Sequence, residues 1–168
     1  MGTLDRSGTL DRSNFFGGGI DQDALSSADD IIRFDGTTGE WTTSQAVVLH
    51  TIPFIIDGGG VAITTGIKGT LHLPMGATIL SWTVTADQTG SINVDINKSS
   101  YTNYPATTSI TAAEHVVLSS QRKNQSSTLT GWTTAISADD VLEFEVDSVL
   151  TVQKVTINLY VSESLTYT

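Results

Sequence analysis

The sequence contains no cysteine and few basic residues, and each shortage excludes a class of structure or function. Without cysteine, neither a disulfide nor a thiolate metal site can hold the fold. Eight Lys and Arg stand against 18 Asp and Glu, which gives a formal net charge of −10. Because a nucleic-acid surface needs clustered cations to displace counterions, the composition predicts no nucleic-acid partner.

Long apolar runs are also missing. The clearest apolar clusters, at 47–49 and 54–56, are far shorter than the ~20 residues of a membrane-spanning helix. No basic segment followed by an apolar segment opens the chain. The sequence therefore predicts neither a signal peptide nor membrane insertion.

What the chain does contain is a pattern typical of β-strands. Apolar and polar residues alternate at 80–85, 92–97, 142–147 and 155–162, with turn residues such as 87–90 between the runs. Leu80, Trp82 and Val84 fall on one face of their run, and 129–132 has the composition of a weak strand. A period of two places one face in the core and the other in water. Residues 46–168 are thus predicted to form an all-β domain, an antiparallel β-sandwich of the jelly-roll type.

The first 28 residues differ in composition and are predicted to be an extended N-terminal arm. The hexad Gly-Thr-Leu-Asp-Arg-Ser occurs twice in tandem, and a Phe-Phe pair and three glycines follow. Apolar residues are too sparse here to form a core, which also fits a disordered tail. Paired aromatics favour an arm that folds on partner subunits, anchored by Leu4, Asp5, Arg6, Leu10, Asp11, Arg12, Phe15 and Phe16.

Residues 29–45 are predicted to form a short connecting hairpin. Turn signals at 35–36 and 38–39 separate two runs that contain Phe34 and Trp41. An isolated hairpin of this length is marginally stable in water, so it needs a packing partner.

No residue pattern marks a catalytic or metal site. His50, His72 and His115 are widely separated, and no Gly-x-Ser-x-Gly motif occurs. Glu143, Glu145 and Asp147 share one strand face, which favours a solvated face that discourages edge pairing; around a threefold axis they could instead bind calcium. The sequence therefore predicts a protein that is not an enzyme and that has no cofactor.

Two tyrosines are candidates for ligand or subunit contact. Tyr101 and Tyr104 lie among polar residues in a predicted loop, whereas Trp82 lies on an apolar strand face. Exposed tyrosine suits a sugar ring, and it is also enriched in protein interfaces.

Four segments resemble a module found in phage and prophage tail-fibre, appendage and minor structural proteins. They are 57–69, 77–92, Tyr101 to Pro105, and 123–132 with the acidic turn that follows it. They occur in the order expected of that module and cover roughly 51–162. Members often have a bulky residue where Asn97 stands here, so the chain departs from the module at that position.

The resemblance implies a location on the virion surface and a homotrimer. Two hypotheses follow. In the favoured one, the protein is a capsid decoration or head-fibre protein that attaches to capsid proteins through its N-terminal arm. In the alternative, it is a tail-fibre or appendage receptor-binding protein that recognises a host surface glycan.

Overall fold

The computed structural model describes residues 30–35, 40–45 and 47–164, with side chains from 47 to 163. Their regular structure is entirely β, and no helix among them has the length and hydropathy needed to cross a membrane. The strands are β1 (Asp30–Asp35), β2 (Glu40–Gln45), β3 (Val47–Asp57), β4 (Gly66–Leu73), β5 (Ala77–Ser100), β6 (Thr108–Ser109), β7 (Val116–Ser126), β8 (Ala135–Ile136), β9 (Asp140–Leu150) and β10 (Lys154–Ser164).

The chain divides into two compact units. The first comprises Met1–Val48 and Ser164–Thr168, and the second comprises Leu49–Glu163. Within the first, β1 and β2 pair antiparallel as a hairpin, with Phe34 opposite Trp41 and Asp35 opposite Glu40. These are the two runs from which the sequence predicts a hairpin.

The second unit is an antiparallel β-sandwich, which confirms the predicted fold class. Strands β3, β10, β5, β9 and β4 are neighbours in that order, and β6, β7 and β8 also pair with β5. Two strands run through both layers. The first layer contains β3, β10, the N-terminal half of β5 and the C-terminal half of β7. The second layer contains β4, β9, the C-terminal half of β5 and the N-terminal half of β7.

The 24-residue strand β5 links the two layers because it changes partners halfway along its length. Its first half pairs with β10 from Thr78 to Ala86, and its second half pairs with β9 from Ser91 to Ser100. Between these halves, Gly90 approaches the β9–β10 connection so closely that no side chain fits. A Cβ atom there would lie 2.5 Å from Oγ1 of Thr151. Glycine is therefore required by space at this bend.

Apolar side chains from both layers meet in one core. Val84, Val94, Ile96, Phe144, Ile157 and Leu159 are fully buried members of it. Phe54 of β3 stacks on Phe144 of β9, with ring centroids 3.9 Å apart and planes within 5°. This contact joins an edge strand of the first layer to a central strand of the second. The alternating residues on the opposite faces are mostly polar, as period-two patterning requires, with exposed apolar exceptions such as Leu49 and Ile55 on β3.

Three local predictions from the sequence are wrong. Residues 87–90 do not reverse the chain; they are the bend inside β5. Leu80 does not share the buried face of Trp82, because the register of β5 against β10 shifts beside Val161 and leaves Leu80 exposed. Residues 129–132 form no strand, although Trp132 is buried there and donates its indole N–H to the carbonyl of Glu114.

Hydrogen bonds to the carboxylate of Asp87 connect the bend to the start of β10. Asp87 Oδ1 accepts hydrogen bonds from the backbone N–H groups of Lys154, at 3.0 Å, and Gln153, at 3.2 Å. The bond from the Lys154 N–H is the main reason that the pKa of Asp87 lies below its ordinary value. The Lys154 ammonium lies 2.7 Å from Asp57 Oδ2, which lowers the pKa of Asp57 and raises that of Lys154.

The pKa shifts of Asp57, Asp87 and Lys154 determine the direction in which the stability of the fold changes with pH. A carboxyl whose folded pKa is depressed stabilises the fold above its unfolded pKa, and this contribution is lost as the pH falls through the folded value. A raised lysine pKa stabilises the fold below the unfolded value and is lost at high pH. All three groups are solvent-exposed, so salt screens the contribution of the ion pair.

We predict that Gly90→Ala destabilises the protein by about 1–3 kcal/mol, because the added methyl overpacks the bend. The measurement is the free energy of unfolding from urea titration. Gly76→Ala is the matched control, since a Cβ there has its nearest neighbour, the carbonyl oxygen of Ile136, at 3.4 Å. Equal losses in the two variants would show that the bend is not tightly packed.

We also predict that Asp87→Asn makes stability less sensitive to acid. The asparagine oxygen can still accept both backbone bonds, but it carries no charge to lose. Between about pH 6 and about pH 2, the urea midpoint of the variant should fall less than that of the unaltered protein. Glu114→Gln removes an exposed carboxylate outside the bend and serves as the control. A parallel loss of stability in Asp87→Asn and in the unaltered protein would contradict the stabilising role of the Asp87 carboxylate.

Candidate functional site

The eight residues predicted to anchor the arm lie outside the described residues. Their predicted role, from Leu4 to Phe16, therefore stays a prediction.

Tyr101 and Tyr104 lie where the sequence placed them, in the loop that follows β5. Tyr101 is 67% exposed, and its ring centroid is 5.2 Å from that of His72 on β4. His72 Nε2 lies 3.2 Å from Asp139 Oδ1 in the turn before β9. The loop thus brings one tyrosine to an exposed His–Asp pair at the end of the second layer.

A concave surface lies elsewhere, on the outer face of the first layer. Two adjoining grooves, of about 540 and about 580 Å³, cross the neighbouring strands β10, β5 and β7. We call them together the outer-face groove. Both are lined by Thr83, Gln125 and Tyr160, and each groove by itself has a volume within the range of small-molecule sites. The other lining side chains that point outward are Ser81, Thr85, Lys123, Ser127, Thr128 and Asn158.

Strand register explains why these residues meet. Thr83 of β5 stands opposite Asn158 of β10 on one side and Gln125 of β7 on the other. One pair further along the strand, Ser81 stands opposite Tyr160. Directly opposed side chains have Cβ atoms about 4.5–5.5 Å apart, and alternate residues of one strand share a face. The polar half of each alternation therefore forms a grid over the buried residues Trp82 and Val84.

The groove is almost free of charge. Lys123 is its single ionisable group other than the tyrosine, and no carboxylate is among its lining residues. Asn158 Nδ2 donates to Thr83 Oγ1 at 3.3 Å, and Ser126 Oγ donates to the carbonyl of Thr128 at 2.9 Å. The second bond orders one wall of the groove. On a chain with a net charge of −10, this is a distinctly neutral surface.

The acidic row of β9 is not the fully solvated face that the sequence favours. Glu143 is only 5% exposed, and its Oε1 accepts the hydroxyl of Thr107 at 2.9 Å. Glu145 receives the amide of Asn97 at 3.3 Å, and Asp147 lies 2.8 Å from His115 Nδ1. The segment between β5 and β7 covers part of this face, which a strand-by-strand reading could not show.

The three histidines lie apart, each beside a carboxylate. His50 pairs with Glu163 at 3.0 Å, and His115 Nε2 also contacts the carbonyl oxygen of Ala112 at 2.8 Å. Within the part of the chain that the structure describes, no three His, Asp or Glu side chains form a possible metal site. The predicted lack of a metal or cofactor stays a prediction, as does a calcium ion shared between subunits.

No protein-family model matches the chain, and no curated protein matches it either. Among solved structures, it is similar to a serine protease of Aeromonas sobria, with 10% identity and a TM-score of 0.33 over 73% of this chain and 28% of that one. It is also similar to a chain from the infectious bursal disease virus Gx strain, with 13% identity and a TM-score of 0.32 over 80% and 37%.

A further match is the T13 particle of infectious bursal disease virus, with 14% identity and a TM-score of 0.27 over 82% of this chain and 41% of that one. The chain thus spans well under half the length of each of these matched chains. At such identities and TM-scores, the matches transfer no residue roles.

One prediction from the sequence is corrected by these comparisons. The chain was expected not to be an enzyme, and the matches to the Aeromonas sobria serine protease, alone and with its chaperone, contradict that expectation. The sequence reasoning rested on the absence of known catalytic motifs, which is weak support for the absence of an activity.

Sequence reasoning missed the groove because its residues come from three distant segments. The sequence gives one indication of the groove, because Tyr160 is the one aromatic residue on the polar side of the last alternating run. Thr83 and Asn158 occupy the polar side of their own runs, but the pairing that joins them to Gln125 follows from the topology alone.

Proposed function

We propose that this protein is a structural protein of a bacteriophage particle, displayed on the virion surface as a homotrimer. In this proposal the N-terminal arm, with Leu4, Leu10, Phe15 and Phe16, attaches it to capsid proteins as a decoration or head-fibre protein. The support is the sandwich fold, the division of the chain into two units, and the four segments that resemble a phage virion module.

The four segments occupy related places in the fold. Residues 57–69 connect β3 to β4, and 77–92 form most of β5 together with its bend. Residues 101–105 begin the loop after β5, and 123–132 include the end of β7 and the turn that walls the outer-face groove. The resemblance therefore covers most of β5 with its bend, together with loops that adjoin β3, β4, β5 and β7.

The observation that carries the trimer proposal is the exposure of apolar residues on the edge strand β3. Leu49 is 71% exposed and Ile55 is 60% exposed, and β3 has β10 as its neighbour in the sheet order. A long edge strand with exposed apolar side chains is a surface for association. A closed trimer would cover it in each subunit.

A second candidate function is favoured by the outer-face groove. In this alternative, the protein is a tail-fibre or appendage receptor-binding protein that recognises a host surface glycan. The groove is lined by residues of β5, β7 and β10 and of the turn after β7, and no residue of β3 is among them.

We predict that deleting residues 1–45 abolishes attachment to the particle and leaves the sandwich folded. A second variant keeps the full length and replaces Leu4, Leu10, Phe15 and Phe16 by serine, which removes the anchoring side chains alone. Attachment is measured by electron microscopy of virions that carry each form, labelled with an antibody against the sandwich. Circular dichroism checks the β fold. Undiminished labelling of either variant would contradict the anchoring role.

We predict that the double substitution Leu49→Glu and Ile55→Glu converts the trimer into monomers, because three subunits cannot bury six added carboxylates at one contact. The measurement is molar mass by light scattering. Ile67→Glu with Leu150→Glu is the matched control, since both residues are exposed apolar side chains on other strands. The proposal is wrong if the unaltered protein is monomeric, or if the control dissociates while the β3 variant does not.

A further inference from the structure

The outer-face groove presents a regular array of neutral hydrogen-bonding groups around one aromatic ring. Thr83 lies in the middle, with Asn158 and Gln125 on either side and Ser81 and Tyr160 in the adjacent row. Tyr160 is 40% exposed, so part of its ring is accessible at the groove wall. Hydroxyl and amide side chains can each both donate and accept hydrogen bonds.

Most of these polar groups are not used up by the fold. Among the hydrogen bonds between described residues, Thr83 and Asn158 bond to each other, and Gln125 contributes its backbone N–H to Asn124. The side chains of Ser81, Gln125 and Tyr160 line the groove and take part in none of those bonds. A ligand can therefore replace groove water without breaking bonds that hold the protein together.

We propose that the outer-face groove binds a neutral oligosaccharide. The Tyr160 ring supports the apolar face of one sugar residue, while Gln125, Asn158 and Ser81 bond to its hydroxyl groups. This inference deepens the second candidate function and rests on it: it names the ligand class and the site. It also moves the predicted ligand contact from Tyr101 and Tyr104 to the opposite layer.

Charge selects a neutral sugar over an acidic ligand. Phosphate, sulfate or nucleic-acid recognition uses several clustered cations or a fork of arginine donors, and the groove has Lys123 alone, at one end. The absence of carboxylates from the lining equally disfavours a basic peptide or a metal ion. A neutral sugar bears many hydroxyl groups and no charge, so it can form hydrogen bonds with the hydroxyl and amide side chains of the lining.

The position of the groove separates it from a protein-docking surface. A peptide added as a strand needs a free sheet edge, whereas Thr83 is in a strand paired on both sides. The centre of a protein–protein interface is depleted in polar residues relative to its rim, and here the centre is Thr83 with Gln125 and Asn158. The exposed apolar residues of β3 offer a better contact for a second copy.

The test uses the full-length protein on a printed array of neutral and acidic oligosaccharides, followed by titration calorimetry with the best neutral compound. Calorimetry with a soluble monovalent compound separates site affinity from trimer avidity. Tyr160→Ala should weaken binding about tenfold, because it removes the aromatic contact. Gln125→Ala should weaken it severalfold. Tyr160→Phe keeps the ring and should bind within about threefold of the unaltered protein.

Tyr101→Ala is the matched control, because Tyr101 is the same residue type, is more exposed and lies outside the groove. It should leave affinity unchanged. The proposal is overturned if no neutral oligosaccharide binds, if acidic compounds bind best, or if Tyr101→Ala lowers affinity while Tyr160→Ala does not. It is also overturned if Tyr160→Ala changes the molar mass, since the face would then be a subunit contact. None of these results bears on particle attachment, so failure here is distinct from failure of the virion proposal.

Discussion

The structure depends on strand β5, which serves both layers of the sandwich and pairs with β7 in each of them. Strand β5 pairs with β10 before its bend and with β9 after it, so the layers are joined by continuous backbone rather than by a loop. The bend requires the bare backbone of Gly90 against Thr151 and the carboxylate of Asp87 on the backbone of β10. If this segment straightened, the first layer could not lie over the second, and Phe54 would lose Phe144.

Strand β5 also positions the residues of the outer-face groove. Because its side chains alternate, each residue that fills the core leaves a neighbour facing outward, and Trp82 and Val84 fix Ser81 and Thr83 on the outer face. Pairing on both sides of β5 then supplies Tyr160 from one strand and Gln125 from another. The groove is therefore built on the central strands of a sheet, which hold their side chains more rigidly than a loop would. We propose that a neutral oligosaccharide binds this surface.

The sequence predicts the fold class well because period-two alternation is a direct consequence of a half-buried strand. It predicts the path of β5 poorly. Residues 87–90 have the composition of a turn, and local propensity cannot distinguish a reversal from a bend whose two sides pair with different strands. The prediction that Leu80 is buried is wrong for a related reason, because a register shift is set by the partner strand. The groove escaped prediction because Tyr101 is conspicuous in a loop, whereas Tyr160 acquires its polar neighbours through pairing alone. The predicted contact at Tyr101 and Tyr104 stays a prediction.

Native-state hydrogen exchange of the backbone amides of β5 tests the shared strand most directly. If one bent strand holds both layers together, the protected amides of 82–86 and of 91–97 should exchange through the same global opening. Their opening free energies should then be equal and should fall in parallel with added denaturant. Two different opening free energies, with one half of β5 exchanging while the other remains protected, would contradict this account of the fold.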